Sequence, residues 1–138
     1  MAAFNKFNLF TKALAEKVHN LATDQLMVAL TNAANPPAAA NAVLGDLTQI
    51  AYTNCSTRNV VTFSSTSASG VYKLKLTDLV LTAAGGAIAD FRYVVLYNDT
   101  ATNKELIGFY DYGSDLTVAD TETLTIDFDA TAGVLTVT

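Results

Sequence analysis

The chain reads as a mainly β protein, an antiparallel β-sandwich or jelly-roll-like barrel with one N-terminal amphipathic helix. Three observations lead there. The stretch Phe91–Tyr112 holds four of the six tyrosines and two of the seven phenylalanines, in alternation on both sides of the polar tip NDTATNK. Aromatic and β-branched residues alternating about such a tip predict a long antiparallel hairpin. The last half repeats short apolar runs at spacings of roughly 8–12 residues, each bounded by turn residues, as a sandwich or barrel does. Only the start of the chain carries a helical period. A length of 138 residues suits one domain, 1–138, comprising an N-terminal helix, 1–22, and a β-rich body, 23–138, with a long 31–41 loop.

The helix is predicted over Asn5–Leu21, where Phe7, Phe10, Leu14, Val18 and Leu21 recur at three- and four-residue spacing with Lys12 and Glu16 opposite. Its stripe is expected to lie on the chain's own sheet, with docking on a neighbouring subunit as the alternative. The single histidine, His19, falls beside the stripe and is expected to be solvated. Leu26–Leu30 is apolar at every position, which predicts a central strand covered on both faces. Thr31–Asn41, TNAANPPAAAN, is uncharged, and Pro36 and Pro37 forbid regular pairing. A loop of that length and composition suits a binding arm, or else a wrap over its own domain.

Val43–Tyr52 is expected to form one or two helical turns from Leu44, Leu47, Ile50 and Ala51. Val60–Phe63 predicts a short strand, and Ser64–Gly70, SSTSASG, a turn-rich joint. In Val71–Leu76, Tyr72, Leu74 and Leu76 face one way and Lys73 and Lys75 the other. Leu79 and Leu81 continue the apolar register, and Ala84–Ala87 turns into the hairpin. Neither hairpin strand is polar on one face, so both faces should be covered, one by the core and one by another sheet, a helix or another subunit. Beyond it, Gly113–Asp115 predicts a turn, Leu124, Ile126 and Phe128 a half-buried strand, and Thr131–Gly133 a tight return to Val134–Val137.

Composition narrows the function. Hydrophobic residues make up 51% and charged residues 15%, against roughly 25% charged in ordinary soluble domains. That shortfall implies a surface shared with neighbours, hence an oligomer or a component of an assembly. Residues 1–80 carry six Lys/Arg and four Asp/Glu, while residues 81–138 carry two and nine, so the second half is acidic. Such a balance argues against nucleic-acid partners and fits either steering toward a basic surface or, at least equally well, a solvated acidic face that keeps the protein soluble. The lone Cys55 excludes an intrachain disulfide. No secretory signal or membrane span is expected, because MAAFNKFNLFTK is interrupted by Asn5, Lys6, Asn8 and Lys12 and the Gln25–Gly45 run holds two prolines. Two sequons, Asn54-Cys55-Ser56 and Asn98-Asp99-Thr100, are expected to be idle.

No catalytic constellation, cofactor loop or metal spacing is expected. No motif ties His19 to a serine or cysteine. Asp111, Asp115, Asp120, Asp127 and Asp129 supply oxygen donors, yet their spacing misses the twelve-residue calcium loop. Tyr93, Tyr97, Tyr110 and Tyr112 could line a binding surface, although packing between layers accounts for them better.

ATDQLMVALTN (Ala22–Asn32), FRYVVLYNDT (Phe91–Thr100) and DFDATAGVLTV (Asp127–Val137), with FNKFNLFTKALAEKVHNL before them, resemble small virion proteins of tailed bacteriophages. Within that group the chain looks most like head decoration, or cement, proteins. The resemblance implies a non-enzymatic protein without cofactor, made in the host cytoplasm and placed on the outer capsid surface of the virion. It implies a homo-oligomer, commonly a trimer, that binds the major capsid protein and holds adjacent capsomers together; neither nucleic acid nor membrane is a partner. The candidate assembly interface comprises Phe7, Phe10 and Leu14 of the helix, Asn35, Pro36 and Pro37 of the loop, and Asp111 and Asp115 of the acidic half. The alternatives are a tail or neck ring component, and a ligand- or carbohydrate-binding β-sandwich module using the tyrosine-rich hairpin.

Overall fold

The computed structural model describes residues 2–138. In chain order its elements are β1 (Phe4–Lys6), α1 (Phe10–Ala15), β2 (Leu26–Thr31), a 3-10 turn at Leu44–Asp46, β3 (Asn59–Val60), β4 (Thr62–Ala68), β5 (Val71–Leu76), β6 (Leu79–Thr82), β7 (Ile88–Asn98), β8 (Leu106–Val118), β9 (Thr123–Ile126) and β10 (Leu135–Val137). The chain is mainly β, and its named strands pair antiparallel. Five strands form one sheet in the order β1-β8-β7-β2-β3, three another in the order β10-β5-β4, and β6 pairs with β9.

The long hairpin, β7 and β8, lies at the centre of the large sheet, with β2 beside it as expected of an all-apolar strand. Side-chain alternation sends Val28 and Leu30 of β2 to one face and Ala29 to the other. The first face joins Leu74 and Leu76 of β5, Leu81 of β6 and Ile126 of β9 in one continuous core, which gives a sandwich-like arrangement of the large sheet over the two small ones. On the second face Ala29, Val95, Tyr97 and Leu106 lie beneath Phe7, Leu44 and Leu47. On the outer face of the hairpin, Val95, Tyr97 and Leu106 are therefore covered within the chain by the Leu44–Leu47 segment and an N-terminal side chain rather than by another sheet or an α-helix.

Bulges revise the hairpin's pattern. Register shifts between Phe91 and Tyr93 place Phe91 in the main core while Val95 and Tyr97 face the other way. Opposite them, the extra residue Ile107 shares the core face with Tyr110. Gly113–Asp115 does not end a strand. Tyr93 pairs with Asp111 and Phe91 with Leu116, so residues 112–115 bulge out of a continuous β8, with Gly113 at φ 87.

The N-terminal segment departs furthest from expectation. Instead of a helix over Asn5–Leu21, residues 4–6 pair with Tyr110, Phe109 and Gly108 at the outer edge of β8, and the helix spans six residues. It lacks a side-chain N-cap, and it stops where Lys17 takes φ 67. Phe7, Phe10 and Leu21 are nevertheless buried, so the apolar spacing reported burial correctly and geometry wrongly. Strand β1 can approach because position 108 is glycine: a Cβ there would meet the Phe4 ring and lie 2.8 Å from the Asn5 carbonyl oxygen.

Two other segments change role. Ser64–Gly70 is not a joint: all but its last two residues continue β4, and Ser69 and Gly70, at φ 51 and 79, make the tight turn into β5. Strand β10 pairs with β5 rather than returning along β9. Asp129 turns the chain by accepting from the Thr131 and Ala132 amides at 2.8 Å, and the Val134 amide then bonds the Leu74 carbonyl at 2.8 Å. The Val43–Tyr52 stretch yields only the one 3-10 turn.

Candidate functional site

The residues expected at an interface are dispersed by the fold. Phe7 is fully buried in the outer cluster and Phe10 is buried in the main core, its ring 5.4 Å from that of His19. Neither can reach a partner. Leu14 is half-buried at the rim of a cavity of about 480 Å³. In the Thr31–Asn41 loop, Pro36 is exposed, Pro37 half-buried, and Asn35 donates to the Asn32 side chain at 3.0 Å. The loop and the acidic half do meet, since the Asp115 carboxylate accepts from the Ala33 amide at 2.9 Å. Asp111 is spent on a two-pronged ion pair with Arg92, at 2.7 and 3.1 Å, and on the Gly113 amide. The Arg92 guanidinium, then the Gly113 amide, hold the Asp111 carboxyl below the usual carboxylate range.

The accessible apolar surface lies elsewhere. Strand β4 ends its sheet, and at seven residues it is the longest of the strands that do so. TFSSTSA contains no charge and no proline, so its outer backbone groups lack the residues that ordinarily guard an edge. At its start the register shifts between Thr62 and Ser64, leaving Phe63 out of the pairing and 70% exposed beside Val61 at 63%. On the same small sheet, Lys73 and Lys75 line the face that also bears Ser64, Thr66 and Val71.

A second cluster is polar and interior. Asn98, at the end of β7, is fully buried. Its side-chain oxygen accepts from the Thr100 and Ala101 amides at 3.0 and 3.2 Å. Its amide nitrogen lies 3.0 Å from His19 Nδ1 and donates to Asp24 at 2.6 Å. His19 is thus buried, not solvated: the chain leaves α1 abruptly at Lys17 and turns the ring inward. Burial holds its imidazole below the ordinary histidine value, against the opposing pull of Glu105 and Asp24. The sequon at Asn98 is closed by the same burial. The ~480 Å³ cavity beside this cluster lies between residues 14–24 and Ser65, Tyr72 and Val137.

No family model, curated protein or solved structure matches this chain. Tyr93, Tyr97 and Tyr110 are buried and Tyr112 half-buried, so the tyrosine-rich hairpin is packing rather than a binding platform. Burial raises the half-buried Cys55 thiol above the ordinary cysteine value, against the pull of Arg58, and so disfavours the thiolate. Among the described residues no three His, Cys, Asp or Glu side chains gather as a metal site, and no helix is long and apolar enough to cross a membrane. Sequence reasoning missed the β4 edge because serine-rich composition reads as loop. The available signal was the Ser69-Gly70 pair between VVTF and VYKLKL, a dipeptide suited to a two-residue hairpin.

Proposed function

We propose that this chain is a non-enzymatic structural protein of a tailed-phage virion, a capsid decoration protein that assembles as a homo-oligomer, a trimer, on the outer capsid lattice. One observation carries the reading toward docking: an uncharged, seven-residue strand edge flanked by exposed Phe63 and Val61. An edge of this kind can accept a strand from another polypeptide, its main chain giving affinity and its flanking side chains giving choice of partner. Repetition around a symmetry axis lets several such modest contacts act together. The resemblance of Ala22–Asn32, Phe91–Thr100 and Asp127–Val137 to small virion proteins supplies the class of partner, the major capsid protein. The interface differs from the one expected from sequence: β4 and Phe63 replace Phe7 and Phe10, while the exposed Pro36 turn remains a second contact.

The test is co-sedimentation with expanded capsids of the phage that encodes the protein, alongside light scattering over a range of concentrations. A constant trimer mass and saturable retention on capsids are expected, with retention lost in Phe63→Asp. A chain that stays monomeric and remains in the supernatant overturns the reading. Retention on tails or necks instead of capsids would transfer the same edge to a ring in that part of the particle.

A further inference from the structure

We propose that His19 and Asn98 form a proton-operated latch joining residues 17–24 to the tip of the β7–β8 hairpin. The orientation of the Asn98 side-chain amide cannot be reversed. Asn98 must aim its side-chain oxygen at the Thr100 and Ala101 amides, because turning the amide over would set its NH2 against two N–H donors. Its nitrogen consequently faces His19 Nδ1 and Asp24. Being a donor, that nitrogen requires Nδ1 to be an acceptor, which fixes the ring as the neutral tautomer with its proton on Nε2. His19, Asp24 and the two backbone amides are thereby held in one donor–acceptor pattern around Asn98, which has no exposed atom, while the His19 Nε2–H is buried with no acceptor among the described residues.

A proton arriving from solvent at Nδ1 would break this pattern. Donor would face donor across 3.0 Å, and Asn98 could not turn without abandoning two backbone amides. The charged groups around the ring are Asp24 on its own segment, Glu105 just before β8, and Lys17 at the exit from α1; Tyr72 of β5 lies across the cavity and the Phe10 ring packs against the imidazole. Asp24 and Glu105 would draw a cationic ring, but Asp24 already holds Asn98 and the Asn20 amide. A cationic ring in its present place would still set Nδ1–H against the Asn98 NH2, so relief of that clash would move the ring and with it residues 17–24. Lys17, Val18 and Asp24 line both the ~480 Å³ cavity and one of about 430 Å³ at Thr100–Asn103 and Glu105. Opening the latch would join the two, so acid would loosen one wall of the protein while leaving the sheets paired.

The chain has one histidine, so its imidazole signals are unambiguous. Long-range proton–nitrogen NMR at pH 7.5 should show the Nε2–H tautomer. On acidification the ring should protonate below the free-histidine value of about 6.5. As it does, amide protection at Thr100 and Ala101 should fall by about tenfold or more, the response of a local opening. His19→Gln, which keeps an acceptor toward Asn98 without a titrating ring, should hold that protection through the same pH range. Should the variant not fold, the wild-type spectra decide alone. An Nδ1–H tautomer, a titration that leaves Thr100 and Ala101 unchanged, or a simultaneous loss of protection over the whole chain would each overturn the latch.

Discussion

Replacing Asn98 with alanine tests the interior network most directly. The side chain is fully buried and makes four hydrogen bonds: to His19 and Asp24 through its nitrogen, and from Thr100 and Ala101 through its oxygen. Two of the four are recoverable, because the Thr100 amide and the Asp24 carboxylate lie near enough to the surface to find water. His19 Nδ1 cannot recover, and a buried acceptor left without a partner costs about 1–3 kcal/mol. Loss of the charge-assisted bond to Asp24 adds about 1.5 kcal/mol or more before resolvation offsets part of it. Loss of the turn made by the Asn98 oxygen adds roughly 1 kcal/mol, as for a helix cap. The sum is about 3–5 kcal/mol. With an unfolding entropy near 2.1 cal/mol/K per residue, a chain of this length should melt roughly 10–17 °C lower. Urea unfolding at pH 7.5, followed by tyrosine fluorescence, measures the change in midpoint at constant slope. A loss under about 1 kcal/mol would refute the reasoning, since it would mean that the four bonds are exchanged for water without penalty.

Other outcomes follow from the same geometry. Gly108→Ala should destabilise the protein by about 1–3 kcal/mol through overpacking against Phe4 and Asn5, and hydrogen exchange should show β1 detached from β8 before any other pairing is lost. Phe63→Asp should leave stability within about 0.5 kcal/mol of the parent, because the ring is 70% exposed, while abolishing retention on capsids. Asp111→Asn removes a carboxyl whose folded value is depressed by Arg92, so the stability it supplies is present above the unfolded value of about 3.9 and fades as pH falls toward the folded one. Denaturation midpoints of parent and Asp111→Asn should therefore draw together as pH falls below about 4; a gap that does not narrow at all below that pH would contradict the ion pair.

The sheet core was legible because its sequence obeys one rule at a time. Leu26–Leu30 has no polar face and is interior; Leu74 and Leu76 alternate with Lys73 and Lys75 and are buried on the apolar side. Where two rules competed, pattern misled. The spacing of Phe7, Phe10, Leu14, Val18 and Leu21 satisfies a helix, yet Asn5, Asn8 and an uncapped Leu9 give the backbone little reason to adopt one, and edge pairing to β8 prevails. In β4 the opposite occurs: Ser64, Ser65 and Ser67 carry loop composition, but cross-strand partners such as Tyr72, whose hydroxyl lies 2.8 Å from that of Ser65, hold them extended. The His19 site was hidden from sequence because its partners, Asp24, Asn98 and Glu105, come together only once the hairpin tip folds back over residues 19–24. Its one trace was an asparagine ending an apolar strand, followed two residues later by a threonine.

The order β1-β8-β7-β2-β3 has a kinetic corollary. Strands from the first 31 residues lie on opposite flanks of a hairpin that begins at residue 88. Neither β1 nor β2 has its main neighbour until that hairpin exists, so the large sheet can close only after long stretches of chain have been brought together, and such closures are slow. Throughout that delay LMVALT is greasy, strand-prone and unpaired on both margins. The molecule thus spends its youth with its stickiest segment waiting for its latest-arriving partner, and refolding yield should fall with rising protein concentration well before native stability sets any limit.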